Sequence, residues 1–190
     1  MAATTITQNI RTSSHVPSTA EIREAFAAQK LELMWLSEFL SNDELMASIC
    51  LSDARNMLEK NHKDQIRQRY LPMWIREATF RSVVDFNQMR IAELSPMYEA
   101  SESGCRKHLV LAAETLEFLI KESDVIRRRL DFVCRFVLIV CGVQQRSIAD
   151  AAQLLGVSEH VVKAACGSAL QALEIMSCQA FVQCFGSAAA

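Results

Sequence analysis

The sequence predicts an all-α fold of two small helical units, the C-terminal one a helix-turn-helix. Three observations predict it. Glycine and proline are scarce, five and three in 190 residues, which argues against a turn-rich β architecture. Apolar residues recur at helical spacing along most of the chain. The stretch from Ser147 to Lys163 reads as a helix, a tight glycine turn and a second helix.

Residues 1–17 are rich in Ser and Thr, lack acidic residues and show no period, so they read as a disordered leader. Ser18 with Glu21 forms a capping-box start. The helix it opens carries Ile22, Phe26, Leu33, Leu36 and Leu40 on one stripe, with Trp35 beside it. Ser41-Asn42-Asp43 breaks that helix and caps a second one running to about Lys60 on Leu45, Ile49, Ala54 and Leu58. After a polar stretch over 61–69, Pro72 suits the first turn of a third helix. Trp74, Ala78, Arg81 and Asp85 share one face of it. These elements make a first unit over 18–90.

Residues 91–106 hold Pro96, Ser101, Ser103 and Gly104 and read as a linker. The second unit, 107–175, begins with a helix from Arg106 to Lys121 on Leu109, Ala113, Leu116 and Ile120. Leu130 to Val143 is apolar nearly all round and should be the buried centre of the unit, with Asp131 and Arg135 able to pair across one turn. Ile148, Ala151, Ala152 and Leu155 then share a helix face. Gly156 stands where a sharp turn needs φ > 0, and Ser158 is a natural N-cap. Val162, Cys166, Ala169 and Leu173 form the stripe of the last helix, and 176–190 is an apolar tail.

Half of the residues are apolar, enough to bury a core. The net charge of −2 is unlike the basic excess of a protein that binds DNA strongly by itself. The seven cysteines include no Cys-x-x-Cys pair and no zinc-finger spacing, and several fall within apolar stripes. They read as buried, reduced thiols of a cytoplasmic protein, with no metal and no cofactor. The longest apolar run, Phe136 to Val143, is far short of the roughly 20 residues a membrane span needs. No phosphate loop or nucleophile elbow is visible, so an enzyme is not expected.

The order of these pieces resembles a small bacterial RNA polymerase sigma factor of the extracytoplasmic-function type. Leu130 and Arg135 to Val140 match the buried helix that opens the family's domain for the upstream promoter element. Ala152, Leu155-Gly156-Val157-Ser158, Val162-Lys163, Ala169 and Leu173 match its helix-turn-helix. Leu31 to Leu40, the helix to Leu58, and Trp74-Ile75-Arg76 with Asp85 are similar, more weakly, to the core-binding and promoter-melting domain. The resemblance implies a transcription regulator whose partners are RNA polymerase core, promoter DNA and an anti-sigma-like protein. Trp74, Arg76, Arg81 and Asp85 are then its polymerase or promoter contacts. Arg146, Ser158, Glu159, His160, Lys163, Ala164 and Gly167 are its DNA-facing residues.

The second helix nevertheless departs from that pattern. Where the family continues with arginines, this chain has Ala164, Ala165, Ser168 and Leu170, with Gly167 interrupting. Lys163 is the helix's one permanent cation, with Glu159 one turn before it, so duplex DNA should be bound weakly by the isolated chain. The alternative function is a sigma-like interaction module that has lost promoter recognition and binds a protein partner. The charge around Lys163 discriminates: a positive stripe fits the first reading, a neutral face the second.

Overall fold

The computed structural model describes residues 16–61, 67–101, 111 and 113–186, so residues 1–15 of the predicted leader, 102–106 of the predicted linker and the predicted start of the next helix, over 106–110, lie outside the described residues. The described residues are all-helical, with ten α-helices and no strand.

Ser18 caps α1 (Thr19–Ala28) through a capping box with Glu21. The expected single helix breaks at Gln29, and α2 (Lys30–Ser41) follows at once. Asn42, in the left-handed region at φ 59°, ends α2. Asp43 then opens α3 (Glu44–Asn61), its Oδ1 accepting from the Met46 amide at 2.9 Å. The face of α3 that packs inward differs from the one expected. Leu45 and Ile49 are exposed, while Ala47, Cys50, Ala54 and Leu58 are buried. Both sets have helical spacing, and contact with α2 and α4 decides between them. After a 3₁₀ turn over Gln68–Tyr70, α4 (Leu71–Phe86) starts with Pro72 in its first turn. Ile22, Phe26, Leu33, Ala54, Leu58, Leu71, Ile75 and Ala78 form a small core among these helices.

The predicted linker is corrected over its first part. Residues 91–99 belong to α5 (Gln88–Glu99), which buries Ile91 and Tyr98 and packs on the two helices that centre the second half. Pro96 removes one bond of the helical ladder, but apolar burial and the Ser95 hydroxyl, donating to the Ile91 carbonyl at 2.6 Å, hold the turn. Then come α6 (Ala113–Lys121) and α7 (Ser123–Arg129). Among the described side chains of α6 Leu119 is buried, and Ile120, placed in the stripe from sequence, is exposed; those of Ala113 and Leu116 lie outside the description.

The central helix is α8 (Phe132–Val137), widened into a π-helical segment over Leu138–Val143, and every residue from Phe132 to Cys141 is buried. Asp131 and Arg135 do not pair as expected. Asp131 caps the Cys134 amide at 2.9 Å and accepts the Tyr98 hydroxyl at 2.6 Å. Arg135 turns the other way, to backbone carbonyls. Finally α9 (Ile148–Leu155) and α10 (Glu159–Gly186) meet at Gly156, with φ 69° and ψ 31°. Gly167 does not interrupt α10, which runs through it and eleven residues past the expected unit end at 175. The larger core joins Leu36, Phe39 and Phe80 of the first half to α5, α8, α9 and α10, so apolar packing does not divide at 91–106.

No helix among the described residues is long and apolar enough to cross a membrane.

Candidate functional site

Two surfaces hold the residues singled out from sequence. The first is the start of α10. Ser147 caps α9 through a capping box with Asp150, and Gly156 redirects the chain. Ser158 then caps α10, its Oγ accepting from the Val161 amide at 3.3 Å. The same hydroxyl donates to Glu99 of α5 at 2.6 Å, and His160 Nε2 lies 3.1 Å from the Ser101 carbonyl. Lys163 pairs with Glu159 at 3.0 Å, one turn away. Ala164 is fully buried, packed with Ala165 toward α8, so its placement as a DNA-facing residue is corrected. Gly167 is half-buried. The face around Lys163 is therefore close to neutral, and its first turn is engaged by the end of α5.

The second surface is an open groove of about 1330 Å³ between α2, α4, the end of the π-helical segment and α9. The structure brings Trp74, Arg76 and Arg81 together here with Arg146 from the other half of the chain. Asp85, exposed on the same helix, does not line it. Arg76 pairs with Glu32 at 2.8 Å. Glu77 sits between two guanidiniums, Arg146 at 2.7 Å and Arg81 at 3.4 Å. Arg146 also lies over the Phe80 ring at 5.7 Å, and Arg69 over Tyr70 at 4.4 Å. Trp35 stacks on Phe39 with ring centres 5.3 Å apart. Trp74 packs against the smaller core. The apolar lip is exposed: Met73 at 53%, Val143 at 45% and Tyr70 at 42%.

Asp150 stands at the groove's edge. Its carboxylate accepts from the Ser147 hydroxyl at 2.7 Å and from the Ser147 amide at 3.2 Å, which holds its pKa below the ordinary value. Sequence reasoning missed Glu77, Tyr70, Met73 and Val143. A local signal existed for Glu77, which stands at i+3 from Trp74 on α4 and so shares its helix face. None existed for Val143, which reaches the groove only through the packing of α8 on α2.

No family model, curated protein or solved structure matches this chain. The site must be interpreted from its own chemistry. Among the described residues no group of three or more His, Cys, Asp or Glu is placed to hold a metal. The described thiols of Cys50, Cys134, Cys141 and Cys166 are buried and in no disulfide. Burial pushes the Cys134 thiol up to about 12 and raises that of Cys50, whereas a hydrogen bond with Cys166 lowers that of Cys141. The second surface is a polar-rimmed, partly apolar groove, which suits binding.

Proposed function

We propose that this chain is a sigma-like helical protein that works by binding a partner protein rather than by reading promoter DNA itself. The observation that carries this is the state of the α10 face. Ser158 and His160 are turned to Glu99 and Ser101, Lys163 is neutralised by Glu159, and Ala164 is buried. A reader of duplex DNA needs free cations for phosphate and free donors for base edges. Here Arg146, the other cation assigned to that role, is committed to Glu77. The four described thiols, buried and in no disulfide, support a reducing, cytoplasmic setting.

A second reading, promoter recognition in association with RNA polymerase, has one observation in its favour. Gly156 joins α9 to α10 through the left-handed turn that a helix-turn-helix uses. Fluorescence anisotropy with random and promoter-like duplexes, over a salt series, separates the two. Affinity of ~10⁻⁴–10⁻⁶ M with a shallow salt slope is expected. Nanomolar, sequence-selective binding by the free chain overturns the first reading. Selective binding that appears only when core polymerase is added establishes the second.

A further inference from the structure

We propose that the groove between α2, α4 and α9 takes one amphipathic helix of a partner protein, with an acidic side chain set against Arg81 and Arg146. This rests on the reading of the chain as a protein-binding module, and adds where the partner sits and what chemistry it carries.

Size is the first argument. A helix about 10 Å across advances 1.5 Å per residue, so 1330 Å³ accommodates on the order of ten residues, nearly three turns. Backbone chemistry is the second. The described residues hold no strand, so the walls offer no open ladder of amides and carbonyls. An occupant must satisfy its own backbone, which a helix does. The lip supplies the third: Met73 of α4 and Val143 of the π-helical segment are exposed apolar side chains in the lining, suited to the apolar stripe of such a helix.

Charge then selects among occupants. Glu77 is one carboxylate between two guanidiniums, which leaves one positive charge at the centre of the groove. A carboxylate from the partner completes that alternation. A nucleic-acid strand fits less well. Trp35 already stacks on Phe39 and Tyr70 already carries Arg69, so two of the flat surfaces a base needs are in use. Glu32, Glu77 and Asp150 stand among the four arginines of the lining, so the groove offers a phosphate chain no continuous basic track.

The test is to pan a displayed library of random 12-residue peptides against the full chain. Selected peptides are then synthesised and titrated against wild type, Arg81→Glu, Met73→Glu and, as a control outside the groove, Leu45→Glu. Circular dichroism checks that each variant folds, and all three substituted side chains are exposed. Selected peptides should carry Asp or Glu beside Leu, Phe or Trp at helical spacing. Arg81→Glu should weaken them at least about tenfold, since a reversed charge repels where the pair attracted. Met73→Glu should weaken them too, and Leu45→Glu should not. Basic peptides, or acidic ones indifferent to Arg81→Glu and Met73→Glu, overturn the groove assignment while leaving protein binding elsewhere intact. Failure to select any peptide overturns it as well. A 12-nucleotide oligo(dT) that binds wild type and is lost in Met73→Glu overturns both the groove's occupant and the protein-binding reading.

Discussion

The guanidinium of Arg135 donates to the carbonyl of Leu40 at 2.8 Å, across 95 residues of chain. Leu40 lies in the last turn of α2, where carbonyls have no partner within the helix. The same guanidinium reaches the carbonyls of Arg127, at 2.8 Å, and Leu130, at and just beyond the end of α7. One buried cation thus closes the C-terminal ends of two helices and ties the first half of the fold to the second. Burial pushes Arg135 down to about 10, which still leaves it charged at neutral pH. Two helix C-termini, each partly negative, account for a cation being held there.

Replacing Arg135 with methionine fills similar space but leaves three carbonyls unpaired in the core. The expected loss is about 3 kcal/mol or more, because hydrogen bonds to a charged group contribute ~1.5–3 kcal/mol each. Arg135→Lys should recover only part of it, since a single ammonium cannot span both directions as the planar fork does. Urea unfolding at pH 7 measures both. Wild-type stability in Arg135→Met would show that these bonds contribute nothing.

Phe136 on α8 packs edge-on against Phe80 of α4, ring centres 5.8 Å apart at 77°, and both are fully buried. The contact lies within the larger core that spans both halves. The chain should therefore unfold in one transition. Tryptophan fluorescence watches the first half, through Trp35 and Trp74, and far-ultraviolet circular dichroism watches all helices. Coincident midpoints are expected. Phe136→Ala should lower both together, by ~3–5 kcal/mol. Two separated transitions would mean that the halves fold independently.

How far the sequence carried the fold depends on the range of the interaction that decides each feature. Ser18, Asp43, Gly156 and Ser158 act on their own backbone or one a few residues away, and the turns they specify were legible one residue at a time. The inward face of α3 was not. Leu45 and Ile49 are better hydrophobes than Ala47 and Cys50, yet they face solvent because α2 and α4 approach closely on the small-residue side. The start of the predicted linker failed for a related reason. Pro96 signals a break locally, but burial of Ile91 and Tyr98 against α8 and α10 outweighs it. At the groove, Trp74 and Arg81 lie on one helix face as the sequence spacing has them, and Arg76 lies on the same helix. Their meeting with Arg146 through Glu77 depends on two segments 69 residues apart and had no signature in either.

Gly156 separates backbone strain from packing. A Cβ built there meets nothing within 4 Å, so any cost of substitution comes from φ 69° alone. Gly156→Ala should cost ~1 kcal/mol, and Gly156→Val ~1–2 kcal/mol, because a Cβ opposes the left-handed conformation. Gly156→Asn should cost less than either, since asparagine tolerates that region. Thermal unfolding of the three variants gives the order. Equal stability of Gly156→Val and wild type would mean that the turn relaxes to another conformation.

The capping box at α9 carries a pH dependence of known sign. Hydrogen bonds from the Ser147 hydroxyl and then its amide lower the pKa of Asp150 from its ordinary value of 3.8, with Arg146 nearby acting the same way. A carboxylate whose folded pKa is depressed contributes stability that is fully present above the unfolded value and is lost as pH falls through the folded one. Asp150→Asn removes the charge but keeps the shape. The variant should be less stable than wild type at pH 7. The gap should begin to close below pH ~3.8 and vanish once Asp150 is protonated in the folded state. Ser147→Ala, which removes the hydroxyl, should cost ~1 kcal/mol at neutral pH and shrink that acid-dependent gap in the double variant. Urea unfolding in steps from pH 7 downward reads the whole curve. A wild-type advantage that persists unchanged at the acid end would show that the ionised carboxylate is not what stabilises the start of α9.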